Sequence, residues 1–256
     1  MSYEVTVLKM GQTEVPGPEV YWMSHFEQWL TLYFYMVVVR GNAITAIINT
    51  GPPQDLTDLN RLWGSSSEAR CGMVRQPEER PDTSLARLGI HPEEVTHVLI
   101  TPLQAYATGN IPMFRNAEIC ISRRGWIEDF HAPRFPVHSP RWSRIPNDVL
   151  MYLELEAHEK LRLLEDEDEI APGLRARWVG AHHRSSMAFD VHTAKGHLIV
   201  SDAAFHYGNV EKPHPLGIAE SLEECHFAYQ HFRRADIFLP LYDPAVLDRH
   251  REGRVA

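Results

Sequence analysis

Val98-Leu99-Ile100-Thr101-Pro102-Leu103-Gln104-Ala105-Tyr106-Ala107-Thr108-Gly109-Asn110 is the stretch on which the reading of this chain turns. Residues 96–101 form a short apolar run, which predicts a buried strand. Pro102 stops it, because proline has no N–H to give to a ladder. Upstream, Leu30–Val39 and Ala43–Asn49 flank Arg40-Gly41-Asn42 and predict a hairpin. The second of these strands ends in Asn49-Thr50-Gly51-Pro52-Pro53, a loop that cannot continue a ladder. Tyr3–Leu8 alternates and predicts a first strand, stopped by Gly11. Helices are expected over 55–63 and 84–89.

Downstream, Ala117–Ser122 is a further strand, followed by a helix over about 124–130. Residues 131–148 carry four prolines and predict a long surface loop or lid. Leu161–Leu164 and Leu174–Val179 are strands separated by Glu165-Asp166-Glu167-Asp168-Glu169, a run without the glycine-centred spacing of a calcium loop that reads as a solvated turn. Met187–His192 and His197–Ser201 predict a hairpin. Ser221-Leu222-Glu223-Glu224 is a capping box opening a helix that places Leu222, Cys225, Ala228 and Phe232 on one face. Asp236–Pro240 is a last strand. Strands, helices, strands and helix in two comparable halves predict layered α and β. Neither GxGxxG nor GxxxxGK[ST] is present.

At 256 residues the chain is long enough to bury a core without disulfides or metals. A formal charge of −9 argues against a nucleic-acid surface, which needs clustered Lys and Arg. Three separated cysteines, Cys71, Cys120 and Cys225, give neither a disulfide framework nor a cysteine zinc site. No apolar run approaches the length of a membrane span, and the first residues do not read as a signal peptide, so a cytoplasmic protein is expected. Histidine, at fifteen copies, is the outlier of the composition.

The stretch 98–110 resembles the strand-T-H-x-H-x-D-H-x-G-N signature of the metallo-β-lactamase superfamily with its ligands substituted. Four further segments resemble that family in order. They are Ile48-Asn49-Thr50-Gly51, Gly180-Ala181-His182-His183, Ser201-Asp202-Ala203 and Leu239-Pro240-Leu241-Tyr242-Asp243-Pro244. The similarity covers about residues 3–250 and is nearest the lactonase-like branch. It implies a four-layered αββα sandwich, two mixed sheets flanked by helices, over a single domain of residues 1–256. Carried over position by position, the family's ligands become Pro102, Gln104, Tyr106, Ala107, His182, Asp202 and Tyr242. Only His182 and Asp202 keep a side chain suited to a metal, too few for a dinuclear site.

The resemblance therefore implies a pocket with no metal and no cofactor, in which His182 and Asp202 lie within hydrogen-bonding reach. A carboxylate beside an imidazole fixes its tautomer and raises its basicity. Tyr106 and Tyr242 would bring phenols to the same cavity as donors to an oxyanion. Gln104, Arg184 and His206 are candidate substrate contacts, and Trp126, Phe130, Phe135 and Trp142 could line an apolar mouth. The expected function is metal-independent chemistry on an ester, lactone or related carbonyl compound. A non-catalytic ligand-binding or scaffold protein is the alternative. A mononuclear zinc site rebuilt with His206, His131 or His138 is a third. The expected partner is a small molecule rather than nucleic acid or membrane, and a homodimer is compatible with all three.

Overall fold

The computed structural model describes residues 2–66, 69–133 and 139–256. Eleven strands in these residues form two sheets. The first contains β1 (Glu4–Pro16), β2 (Trp29–Gly41), β3 (Ile44–Ile48), β4 (His97–Leu99), β5 (Glu118–Ser122) and β6 (Leu161–Leu164), in that order across the sheet. β1 to β3 are antiparallel neighbours, and β3 to β6 run parallel. The second contains β7 (Glu167–Ala171), β8 (Leu174–Trp178), β9 (Met187–Thr193), β10 (Gly196–Ser201) and β11 (Ile237–Pro240). Its strands are antiparallel apart from the β10–β11 pair. Both sheets are thus mixed, and helices flank them.

The unbroken apolar character of β2 follows from its position. Val37 and Val39 point into the core between the sheets, with Phe189 and Val191 of β9. Met36 and Val38 point the other way, into a second core beneath Ile145, Val149 and Leu153. A strand covered on both faces has no polar side to show. The helix Leu222–Phe232 covers the second sheet with the expected Cys225, Ala228 and Phe232, whereas Leu222 is exposed. Ser221 caps it, its Oγ accepting from Glu224 N at 3.2 Å.

Three expectations are corrected here. The first strand does not stop at Gly11 but runs on to Pro16, with a register shift between Lys9 and Gly11 absorbing the irregularity. The acidic run is not simply a turn. Glu167–Ala171 is strand β7, with Glu167 opposite and ion-paired to Arg177 of β8 and Asp168 2.6 Å from Arg162. Cross-strand arginines neutralise an edge that, alone, reads as solvated. The helix after β5, Arg124–His131, is a π-helix. Trp126 and Phe130 are buried in the second core and do not line a mouth. Of the expected lid, residues 134–138 lie outside the described residues, and with them Phe135 and His138. Its end is the helix Asn147–Met151.

Candidate active site

The site forms where strand ends from both sheets meet. β4 runs out into Thr101, β10 into Asp202 and β11 into Tyr242, while the loop before β9 carries His182 and Ser186. Ligand sites in open α/β sheets favour this carboxyl edge. Asp202 is fully buried. Its Oδ2 accepts from Ser186 Oγ at 2.6 Å and lies 3.0 Å from His182 Nδ1, and its Oδ1 accepts from Thr101 Oγ1. Thr101, Ser186 and His182 are buried as well. A buried carboxylate demands such partners, since an unpaired one costs several kcal/mol.

Thr101 Oγ1 also accepts from Met187 N at 2.8 Å, so one hydroxyl joins the two sheets. Thr101 itself is clamped by Asn49, whose Oδ1 accepts from Thr101 N at 2.8 Å and whose Nδ2 donates to Thr101 O at 2.6 Å. Neither Thr101 nor Ser186 was singled out from the sequence, because isolated hydroxyl residues carry no spacing signal.

His182 follows a tight turn, with His182 N donating to Gly180 O at 2.8 Å. Ala181 at its centre has φ +64°, a left-handed conformation unusual for alanine. Glu224 holds it by accepting from Ala181 N at 2.9 Å. On an extended chain His182 and His183 would face opposite ways; the turn brings both rings to the same side. Their ring centroids are 4.0 Å apart, and both line one cavity. Burial, assisted by His183, outweighs the pull of Asp202 and pushes the His182 pKa down to about 4. The imidazole is therefore neutral at pH 7. With Nδ1–H donated to Asp202, its Nε2 is left as an acceptor. The expected increase in basicity is reversed, because desolvation disfavours the cation more than the carboxylate supports it.

The cavity has a volume of about 330 Å³. Gln104, Tyr106 and Tyr242 line it with the two histidines, together with Phe34, Trp63 and Phe205. Tyr106 and Tyr242 pack edge to face at 6.1 Å, and Tyr242 lies 4.8 Å from Phe205. Burial holds both phenols protonated, raising each pKa above the ordinary tyrosine value. The Tyr242 hydroxyl is buried beside that of Tyr106 and meets no further hydrogen-bond partner among the described residues. The aromatic wall was missed because its members come from β2, the helix Thr57–Ser66 and the loop after β10.

Arg184 and His206 are not part of this cavity. Arg184 is bound by Glu220 at 3.2 Å and by Glu224, and it faces a separate polar cleft. His206 is turned toward Thr31 O, 3.2 Å from Nε2. His131 lies 3.3 Å from Glu154 and stacks edge-on to Trp126. Among the described residues, no group of three or more His, Cys, Asp or Glu is placed to hold a metal ion.

No family model matches the sequence. An N-acyl homoserine lactonase from Bacillus cereus is 22% identical over 190 residues, 73% of this chain and 69% of that protein. Among solved structures, an N-acyl homoserine lactone hydrolase, with N-hexanoyl-L-homoserine bound at its catalytic metal centre, superposes with a TM-score of 0.77. It is 15% identical, and the match covers 98% of both chains. The hydrolase AbOPH of the β-lactamase superfamily gives 0.69 at 13% identity, over 99% of this chain and 89% of that one. The fold is thus the metallo-β-lactamase-like sandwich, as the sequence resemblance implied.

Proposed function

We propose that this protein is a hydrolase of a small ester or lactone that works through His182 and Asp202 without a metal. The observation that carries the reading is the buried His182–Asp202 pair, 3.0 Å apart, beside a 330 Å³ aromatic cavity. The lactonase and hydrolase relatives on the same fold support the reaction class.

The donor set does not suit the metal centre of those relatives. A catalytic zinc takes three protein ligands from His, Cys and carboxylate. Here Pro102 and Ala107 offer no donor side chain, Gln104 is a neutral amide, and both tyrosines are protonated. Asp202 already has both oxygens engaged by Thr101, Ser186 and His182.

In the proposed reaction, Nε2 of neutral His182 accepts a proton from water as the water oxygen attacks the carbonyl carbon. Asp202 holds the Nδ1–H tautomer and faces the imidazolium that forms. The Tyr242 hydroxyl, beside that of Tyr106, donates to the oxyanion. Collapse breaks the acyl C–O bond, and the alkoxide leaves with the proton from Nε2. One water is consumed, giving an alcohol and a carboxylic acid.

A panel of small esters and lactones, assayed with a chelator present, tests this. Turnover should survive the chelator and fall about a hundredfold or more in His182→Ala. Activity that requires added zinc would refute it. A second reading, a ligand-binding protein on the same fold, is favoured by the low pKa of His182, which makes it a weak base. No turnover across the panel, with ligand binding intact, would select that reading.

A further inference from the structure

The charge of the cavity is one-sided. Among the described residues that line it, none is Lys or Arg. Asp202 stands behind His182, which is neutral. Glu220, the acid nearest the other histidine, is already matched by His183 at 3.5 Å and Arg184 at 3.2 Å. Glu19 is different. It lines the cavity from the short helix Gly17–Val20, is half-buried, and its carboxylate makes no hydrogen bond or ion pair with a described residue. Burial raises its pKa, as an uncompensated carboxylate requires.

Facing this unmatched charge is a wall of rings. Phe34 lies 5.1 Å from Tyr106 and 5.6 Å from Tyr242, while Trp63 lies 5.9 Å from both Phe34 and Tyr106. Aromatic faces attract cations, and a desolvated site strengthens the attraction. Among the described lining residues an anionic ligand would meet the Glu19 carboxylate and no lysine or arginine. A neutral one would leave Glu19 desolvated without a partner.

We propose that the substrate of this site carries a cationic group, an ammonium or quaternary ammonium, held by Glu19 and the aromatic wall while its carbonyl faces His182. This names the substrate class within the hydrolase reading and rests on it only for the carbonyl half. The cation half is tested by binding alone.

Choline and its uncharged carbon isostere, dimethylbutanol, differ in charge and hardly in shape. Calorimetry on the wild-type protein at low salt should show choline binding at least about tenfold more tightly, a preference that falls as salt screens Glu19. Glu19→Gln should cut the ratio below about threefold, and Glu19→Asp should retain part of it. If Glu19→Gln does not fold, the wild-type ratio and its salt dependence decide. A wild-type ratio at or below unity overturns the proposal. Butyrylcholine and dimethylbutyl butyrate then separate the two claims. Tight choline binding with neither ester hydrolysed keeps the cation site and sinks the hydrolase. Equal hydrolysis of both esters, with no choline preference, does the reverse.

Discussion

Asp202→Ala is the most informative single change to stability. The carboxylate accepts from three buried donors: Thr101 Oγ1, Ser186 Oγ at 2.6 Å and His182 Nδ1 at 3.0 Å. Two effects compete. Removing a buried charge relieves its desolvation, but removing one partner alone strands the donors at about 1–3 kcal/mol each. The Thr101 hydroxyl can find some relief, since Met187 O lies 3.2 Å from its Oγ1, whereas Ser186 Oγ only accepts from His183 N at 3.1 Å and its O–H is left stranded. His182 Nδ1 has no such alternative. The net loss should be about 3 kcal/mol. For a chain of this size that is a fall in Tm of about 6–12 °C. Asp202→Asn keeps the volume and should cost about half as much. Its amide would turn His182 to the other tautomer, protonating Nε2 and removing the base. Urea unfolding of the three proteins, with unchanged m-values, measures the series. An Asp202→Ala protein within 1 kcal/mol of wild type would refute the view of Asp202 as the hub that satisfies these donors.

Other outcomes follow from the same geometry. His182 has its folded-state pKa, about 4, below its unfolded value, so the unfolded chain binds the extra proton first. Stability should therefore be lost as pH falls from about 6.5 toward 4, by on the order of 3 kcal/mol. Denaturation curves from pH 8 to 4 should be flatter in His182→Gln than in wild type. Hydrolysis should rise with pH through about 4 and stay level to neutrality. A rate that rises only near pH 7 would contradict the assigned base. Tyr242→Phe removes a buried hydroxyl whose hydrogen-bonding neighbour is the Tyr106 phenol, so it should change stability by no more than about 1 kcal/mol. If that phenol meets the oxyanion, kcat should still fall about tenfold or more. Gly125→Ala would place a methyl 2.7 Å from Ser185 Cα. It should cost about 2 kcal/mol or more and displace the loop that carries His182, seen as a lowered Tm and altered ligand binding.

Much of the fold was legible because it is written in long apolar periodicities. The β2–β3 hairpin and the capped helix at Ser221 lie within a residue or two of where the sequence puts them. β7 was not legible, since its acidic residues become a strand only when Arg162 and Arg177 arrive from its neighbours. The pairing of His182 with Asp202 could be read from ordered motifs. The direction of the His182 pKa could not, because it depends on how much water the assembled core removes. His183 shows the same limit: the side a ring faces was decided by a turn at Ala181, where the residue type gives no warning. Arg184 was a reasonable substrate contact until Glu220 and Glu224 claimed it.

The hydroxyl of Thr101 touches Met187 and Asp202, partners 86 and 101 residues away in sequence. Neither half of the chain contains the site. A fragment ending after β5 holds the hydroxyl, and one beginning at β6 holds the carboxylate and the imidazole. The buried acid thus acquires its third partner, Thr101, only at the step that docks one sheet on the other, a late closure by the logic of contact order. Until then Asp202 can remain hydrated, with no desolvation to oppose. The polar centre of this protein is in that sense a lock fitted after the door is hung, and recovery of the Thr101–Asp202 contact during refolding would time the arrival of the second half.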